Sequence, residues 1–86
     1  IRRENMTKRQ KLLQRFRRNP KTVRFDEIDN LLLGLSFEKR QVGSHATYRL
    51  NENIITIPFR KPYVLPVYVK NVIELLDALT AVWDED

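Results

Sequence analysis

A single histidine after a glycine-serine pair is the residue best suited to chemistry in this sequence. His45 is the chain's one histidine and directly follows Gly43 and Ser44. Glycine allows a tight turn that a Cβ would hinder, and an imidazole titrates near neutral pH. Such a base can remove the proton of a ribose 2′-hydroxyl, so that this oxygen attacks the adjacent phosphorus. A lone histidine is more often a structural or surface residue, so the triplet by itself leaves both interpretations open.

Other kinds of catalytic site are poorly supported by the composition. The chain has no cysteine, which excludes thiolate nucleophiles, disulfides and cysteine-bound zinc. Ser44 and His45 are neighbours on a strand margin and would point to opposite sides, which argues against a serine hydrolase triad. Asp26 and Asp29 suit the start of a helix, where the helix dipole favours acidic residues. The sequence therefore predicts no metal and no cofactor.

Positive charge is concentrated at the N-terminal end of the chain. Residues 1–24 contain ten Lys and Arg against one acid, a formal charge of +9, whereas residues 25–86 have a formal charge of −4. A basic segment of this kind favours polyanions through contacts with phosphates and release of counterions. Nucleic acid is the expected partner, and the alternative is that the cations form a solvated helix face.

Hydrophobic spacing predicts three helices and three strands. Thr7 and Gln10 form a capping box that begins the first helix, and Gly34 is expected to stop the second. The predicted elements are, in order, helix 7–18, helix 25–33, strands 36–42, 45–50 and 54–58, an irregular loop 59–67 and a helix from 68.

This order predicts an α+β fold in which helices cover one face of a three-stranded antiparallel sheet. We expect a basic helical extension at residues 1–24 and one catalytic domain at residues 25–86. On the second strand, a period of two places Ala46 and Tyr48 toward the core and His45, Thr47 and Arg49 on the free face. No apolar run approaches the roughly 20 residues that span a bilayer, so a cytoplasmic protein is expected.

The segment from Phe25 to Leu79 resembles the HicA-type toxins. The resembling motifs are Phe25-Asp26-Glu27-Ile28, Phe37-Glu38-Lys39-Arg40, Gly43-Ser44-His45 followed by Tyr48-Arg49, Ile57-Pro58, and Pro66-Val67-Tyr68-Val69-Lys70. The resemblance implies a double-stranded-RNA-binding-like fold, metal-independent cleavage of mRNA, and inhibition by a HicB-type antitoxin protein. The chain would then be the toxin of a type II toxin-antitoxin system and an endoribonuclease.

Within this resemblance, His45 occupies the position of the family's catalytic histidine. We expect basic and turn residues around it to bind RNA phosphates, namely Lys39, Arg40, Gly43, Ser44, Arg49, Arg60, Lys61 and Lys70. The sequence departs from the family where many relatives have a second histidine, at Ala46, and where some have another, at Phe59. His45 would thus act without a second imidazole, and water or His45 itself would protonate the leaving oxygen.

An apolar loop follows the third strand and is the expected antitoxin surface. Its candidate partner residues are Tyr63, Val64, Leu65 and Tyr68, since exposed apolar patches tend to mark partner sites. Two alternatives stay open, because the loop can instead close the core, or Tyr63 and Tyr68 can stack on unpaired bases.

Three functions are compatible with these features. The favoured one is an endoribonuclease with His45 as general base. The second is a non-catalytic RNA-binding module that uses the same basic face. The third is a protein interaction domain that binds no RNA.

Overall fold

A computed structural model describes the backbone of residues 7–83 and the side chains of residues 7–79. It contains three α-helices, one short 3-10 helix and three strands, in the predicted order. They are α1 Lys8–Arg18, a 3-10 helix Pro20–Thr22, α2 Phe25–Gly34, β1 Glu38–Val42, β2 His45–Leu50, β3 Asn53–Pro58 and α3 Pro66–Trp83. Helix α3 begins two residues before the predicted start, because Pro66 already has the φ that the first helical position requires.

The sheet is antiparallel, with strand order β1-β2-β3. Val42 lies opposite His45, so a two-residue turn of Gly43 and Ser44 joins β1 to β2. Gly43 has a φ of +60°, which is the backbone required at the first central position of a type II′ hairpin turn. A methyl group at Gly43 would contact nothing within 4 Å, so glycine is needed there for its backbone freedom and not for space.

The helices and one face of the sheet share a single hydrophobic core. Ala46, Tyr48 and Ile57 are fully buried on that face, while the neighbouring His45 and Thr56 on the other face are exposed. The α+β class and the free sheet face are thus confirmed. No helix within residues 7–83 is both long and apolar enough to cross a bilayer.

Helix α1 begins with the predicted capping box. The backbone N–H of Gln10 donates to Thr7 Oγ1 at 3.1 Å, and the backbone N–H of Thr7 donates to Gln10 Oε1 at 2.8 Å. Leu13 and Phe16 are buried in the core cluster together with Val23. The described part of the basic extension is therefore packed into the same hydrophobic core as the body of the protein.

Helix α2 ends in a Schellman motif, and its left-handed residue is Ser36. The N–H of Phe37 donates to the carbonyl of Leu32 at 3.1 Å, and the N–H of Ser36 donates to that of Leu33 at 3.0 Å. Ser36 has a φ of 76°, whereas Gly34 is the last helical residue. The helix therefore ends within one residue of the predicted position, but the left-handed residue that closes it is Ser36 and not Gly34.

Candidate functional site

His45 is held at the head of the β1-β2 hairpin, between two neighbouring strands. Its Cα faces Val42 on β1 and Pro58 on β3. The turn is also tied to the residue after β3, because the N–H of Phe59 donates to the carbonyl of Ser44 at 2.6 Å. The hairpin thus fixes the backbone that carries the imidazole, while the His45 side chain is exposed.

The uncovered face of the sheet, hereafter the open face, has His45 at one end and Arg40, Arg49 and the acidic Glu38 along it. The strand register places Arg40 opposite Thr47, and Arg49 in the next row along β2. His45, Arg40 and Arg49 are all exposed. The predicted division of β2 is therefore confirmed, with Ala46 and Tyr48 inside and His45, Thr47 and Arg49 outside.

The polar side chains of the open face make few contacts with one another. Thr47 and Thr56 approach within 3.1 Å through their hydroxyl oxygens, and Arg49 Nε donates to the carbonyl of Asn51 at 3.5 Å. Within residues 7–79, His45 and Arg40 have neither a side-chain hydrogen bond nor an ion pair. Both side chains are therefore free to meet a ligand.

Lys39 lies on the covered side of the sheet and not beside His45. It faces Tyr48 in the strand register, its Nζ lies 2.7 Å from Asp29 Oδ1, and it sits 5.5 Å from the centre of the Phe25 ring. Lys39 was expected beside Arg40 and Arg49, but adjacent strand residues point to opposite faces. Lys39 is therefore removed from the set of cations around His45.

The partner of Lys39 also binds a buried tyrosine. Tyr48 is fully buried, and its hydroxyl donates to Asp29 Oδ1 at 2.6 Å. Burial, and then the hydrogen bond to the Asp29 carboxylate, raise the pKa of Tyr48 well above its ordinary value. This cluster of Lys39, Asp29 and Tyr48 joins β1, β2 and α2, and so it supports the sheet beneath the open face.

Arg60 and Lys61 line a cleft at the hairpin end of the sheet. The cleft has a volume of about 420 Å³, and its walls are Arg24, Phe25, Asp26, Phe59, Arg60, Lys61 and Pro62. Arg24 and Asp26 were not among the predicted site residues. They lie more than thirty residues before Phe59 in the sequence, so no local pattern indicated that they would meet it.

Lys70, the last predicted phosphate-binding residue, is exposed on α3. Helix α3 belongs to the layer that covers the opposite face of the sheet, so Lys70 and His45 lie on different sides of the molecule. Gly43 and Ser44, by contrast, adjoin His45 and are exposed.

The predicted partner loop is divided between the surface and the core. Tyr63 and Leu65 are 37% and 41% exposed, whereas Val64 is 1% exposed and its N–H donates to the carbonyl of Val23 at 2.8 Å. Tyr68 is half-buried against the core. The Val64 side chain therefore closes the core and does not contribute to an exposed partner surface.

Two exposed apolar residues on the open face were not predicted as site residues. Val42 and Ile54 are 66% and 59% exposed and lie on the same face as His45. The period of two in each strand is the sequence signal for both, because it places Val42 on the same face as Arg40, and Ile54 on the face opposite to Ile55 and Ile57.

Within residues 7–83, no three His, Cys, Asp or Glu side chains lie close enough together to hold a metal ion. Comparisons of the chain with protein-family models, with curated proteins and with solved structures found no significant match. The likeness to the HicA type therefore rests on the sequence motifs.

Proposed function

We propose that the protein is an endoribonuclease toxin of the HicA type that cleaves mRNA without a metal ion, with His45 as general base. The observation that supports this most is an exposed imidazole at the head of β2, on a sheet face that also presents Arg40 and Arg49. The order of α2, three antiparallel strands and α3 supports the further proposal of a double-stranded-RNA-binding-like fold. Because its substrate is mRNA, the enzyme would act in the cytoplasm.

In the proposed reaction, His45 removes the proton of a ribose 2′-hydroxyl. The 2′ oxygen then forms a bond to the adjacent phosphorus, and the bond from phosphorus to the 5′ oxygen of the next nucleotide breaks. The products are a 2′,3′-cyclic phosphate and a free 5′-hydroxyl. The leaving oxygen receives its proton from water or from the imidazolium that the first step created.

Arg40 is the cation best placed to stabilise the charge that builds on the phosphorane oxygens. It occupies the diagonal position to His45 across the β1-β2 pair, a spacing of about 7–8 Å between backbones. A guanidinium on its long, flexible side chain can reach a phosphate held at the imidazole and bind two of its oxygens. Arg49 lies one row further along β2 and would bind the next phosphate.

The basic N-terminal segment would raise the affinity for RNA. Its arginines nearest the body are engaged, since Arg15 pairs with Glu27 and Arg17 with Asp77. Arg9 donates to the carbonyl of Gly34, and four other cations of this segment are exposed and make neither an ion pair nor a side-chain hydrogen bond with another described residue. They are Lys8, Lys11, Arg18 and Lys21. Free cations of this kind contribute affinity through release of counterions from the phosphates.

The antitoxin proposed here is a HicB-type protein that covers exposed apolar side chains. Tyr63, Leu65 and Val67 are all at least one-third exposed near the start of α3. Exposed apolar groups that lie close together favour a protein partner.

Cleavage of a defined RNA in EDTA by the wild type and by His45→Ala tests the proposal. We expect the wild type to cut and the variant to lose at least about 100-fold in rate, the usual contribution of a general base. Val42→Ala is the matched control, because Val42 is an exposed neighbour of His45 with no acid-base chemistry. A substrate with a single 2′-deoxy position at the cut site should resist both proteins. Equal cleavage by wild type and His45→Ala would remove His45 from the mechanism.

A non-catalytic RNA-binding module is the second candidate. It is favoured by the fact that His45 is the chain's one histidine and that no hydrogen bond within residues 7–79 orients its ring. In that case neither protein would cut the RNA, and His45→Ala would bind RNA as tightly as the wild type.

A further inference from the structure

The cleft beside the hairpin combines an exposed aromatic ring with positive charge. Phe59 is 41% exposed and packs edge to face on Phe25, with the ring centres 5.1 Å apart. Phe25 is buried and belongs to the core. The inner wall of the cleft is therefore a rigid apolar surface, and Phe59 presents part of its ring to the solvent.

The charged residues of the cleft leave a net positive rim. Arg24 lies 3.8 Å from the Asp26 carboxylate, which offsets one cation. Arg60 donates from Nη1 to the carbonyl of Tyr63 at 3.0 Å, a neutral partner that holds the guanidinium in place and leaves its charge unbalanced. The Lys61 ammonium lies 5.9 Å from the centre of the Phe59 ring.

We propose that this cleft binds the base of an unpaired nucleotide in single-stranded RNA, with the base against Phe59 and its flanking phosphates at Arg60 and Lys61. The proposal rests on the proposed function in that the cleft would be the base subsite next to the cutting site. Every nucleobase has an apolar face that stacks on an aromatic ring, and every nucleotide carries the anion that the rim attracts.

The contact between Lys61 and Phe59 is compatible with such a ligand. A cation over an exposed aromatic ring is held more weakly than a stacked base. Lys61 is exposed, so its ammonium can leave the ring and turn to the phosphate of the bound nucleotide. A purely apolar ligand would gain nothing from the rim, and a free phosphate would gain nothing from the ring.

The cleft is close to His45 along the backbone. Pro58 faces His45, and Phe59 is the next residue; its Cα is thus expected about 6 Å from that of His45, given strand spacing and rise. The Phe59 ring lies toward α2 and the imidazole lies on the open face. A single strand that crosses the end of the sheet would place one base in the cleft and an adjacent phosphate near the imidazole.

Binding of a fluorescent, unpaired 2′-O-methyl oligonucleotide to the full chain tests this proposal, because the blocked 2′ oxygen prevents cleavage. Phe59→Leu keeps an apolar side chain but removes the ring, and we expect it to bind about 5- to 150-fold more weakly. Phe59→Tyr should bind as the wild type does. Leu33→Ala is the control, since Leu33 on α2 is a similarly exposed apolar residue, 43% exposed, outside the cleft lining.

Wild-type affinity in Phe59→Leu, or an equal loss of affinity in Leu33→Ala, would overturn the base subsite. The subsite would also be overturned if Phe59→Leu lost as much affinity for a fully paired duplex as for the unpaired oligonucleotide, since a paired base cannot enter the cleft. Thermal unfolding of Phe59→Leu and Phe59→Tyr checks that both variants are folded. The proposed nuclease activity is tested separately, because His45→Ala should bind the uncleavable oligonucleotide as tightly as the wild type. If His45→Ala cleaves RNA as the wild type does and Phe59→Leu still binds more weakly, the base subsite is supported and the role of His45 is not.

Discussion

Replacing Ser36 by glycine should stabilise the protein. Ser36 has a φ of 76°, a left-handed backbone that costs a residue with a Cβ about 1–2 kcal/mol. Glycine removes that cost but loses more conformational freedom on folding, which takes back about 0.5–1 kcal/mol. The hydrogen bonds of the Schellman motif are made by the backbone, so they are unchanged. The net expected gain is about 0.5–1 kcal/mol.

Gly34→Ala provides the complementary test at the position where the sequence predicted the helix stop. Gly34 is helical, and an added Cβ would lie 3.6 Å from Arg9 Nη2, an ordinary contact. Alanine is favoured over glycine inside a helix by about 0.5–1 kcal/mol. Gly34→Ala should therefore be neutral or stabilising. If Gly34 instead had the left-handed conformation, alanine would destabilise the protein.

Thermal and urea unfolding of the wild type and both variants measure these effects. A gain of 0.5–1 kcal/mol corresponds to an increase in Tm of about 2–8 °C for a domain of this size. Destabilisation by Gly34→Ala of about 1 kcal/mol or more, with no gain from Ser36→Gly, would refute the assignment of the left-handed conformation to Ser36.

Three further predictions concern the open face and its support. Arg40→Ala should lower RNA affinity and reduce the slope of log affinity against log salt concentration by about 0.7 for a single strand. Lys70→Ala makes the same change in charge on the helical layer and should leave this slope unchanged. Equal effects of the two variants would mean that the open face has no special role in RNA binding. The raised pKa of Tyr48 means that the folded state favours the neutral phenol, so this stabilisation is complete below about pH 10 and is lost at higher pH, at up to about 1.4 kcal/mol per pH unit. Urea unfolding at pH 9 and pH 11 should show a smaller loss in Tyr48→Phe than in Tyr63→Phe, and identical losses would contradict the assignment. Gly43→Ala should cost about 1–2 kcal/mol and lower Tm, because its φ of +60° is unfavourable for alanine; an unchanged Tm would show that the turn adopts another conformation.

Local patterns in the sequence were sufficient for most of the secondary structure and for the two faces of β2. Alternation along a strand is a local property, so His45 and Arg49 were assigned correctly to the free face. Lys39 was misplaced because its face depends on the register of β1. That register was present in the sequence, since counting back from the Gly43-Ser44 turn places Lys39 opposite Tyr48.

The left-handed residue after α2 was harder to predict. Glycine is the usual residue at that position of a helix end, and Gly34 was the nearest glycine. The helix continues through Gly34 because burial of Phe37, which is 3% exposed, requires the chain to turn where Phe37 reaches the core. Packing therefore placed the strained conformation on Ser36, against its local preference.

The sequence by itself determined that the chain forms an α+β domain with a basic N-terminal segment and one imidazole at the head of a strand. Charge content and hydrophobic periodicity are properties of short segments, so they can be read without knowing how the segments pack. Tertiary structure decided which cations are free and which surfaces exist. Arg17 meets Asp77 across sixty residues, with its Nη1 donating to Asp77 Oδ2 at 2.9 Å, and Phe25 meets Phe59 to form the cleft. Contacts between distant segments depend on how the helices pack on the sheet, and hydrophobic spacing within each segment does not specify them.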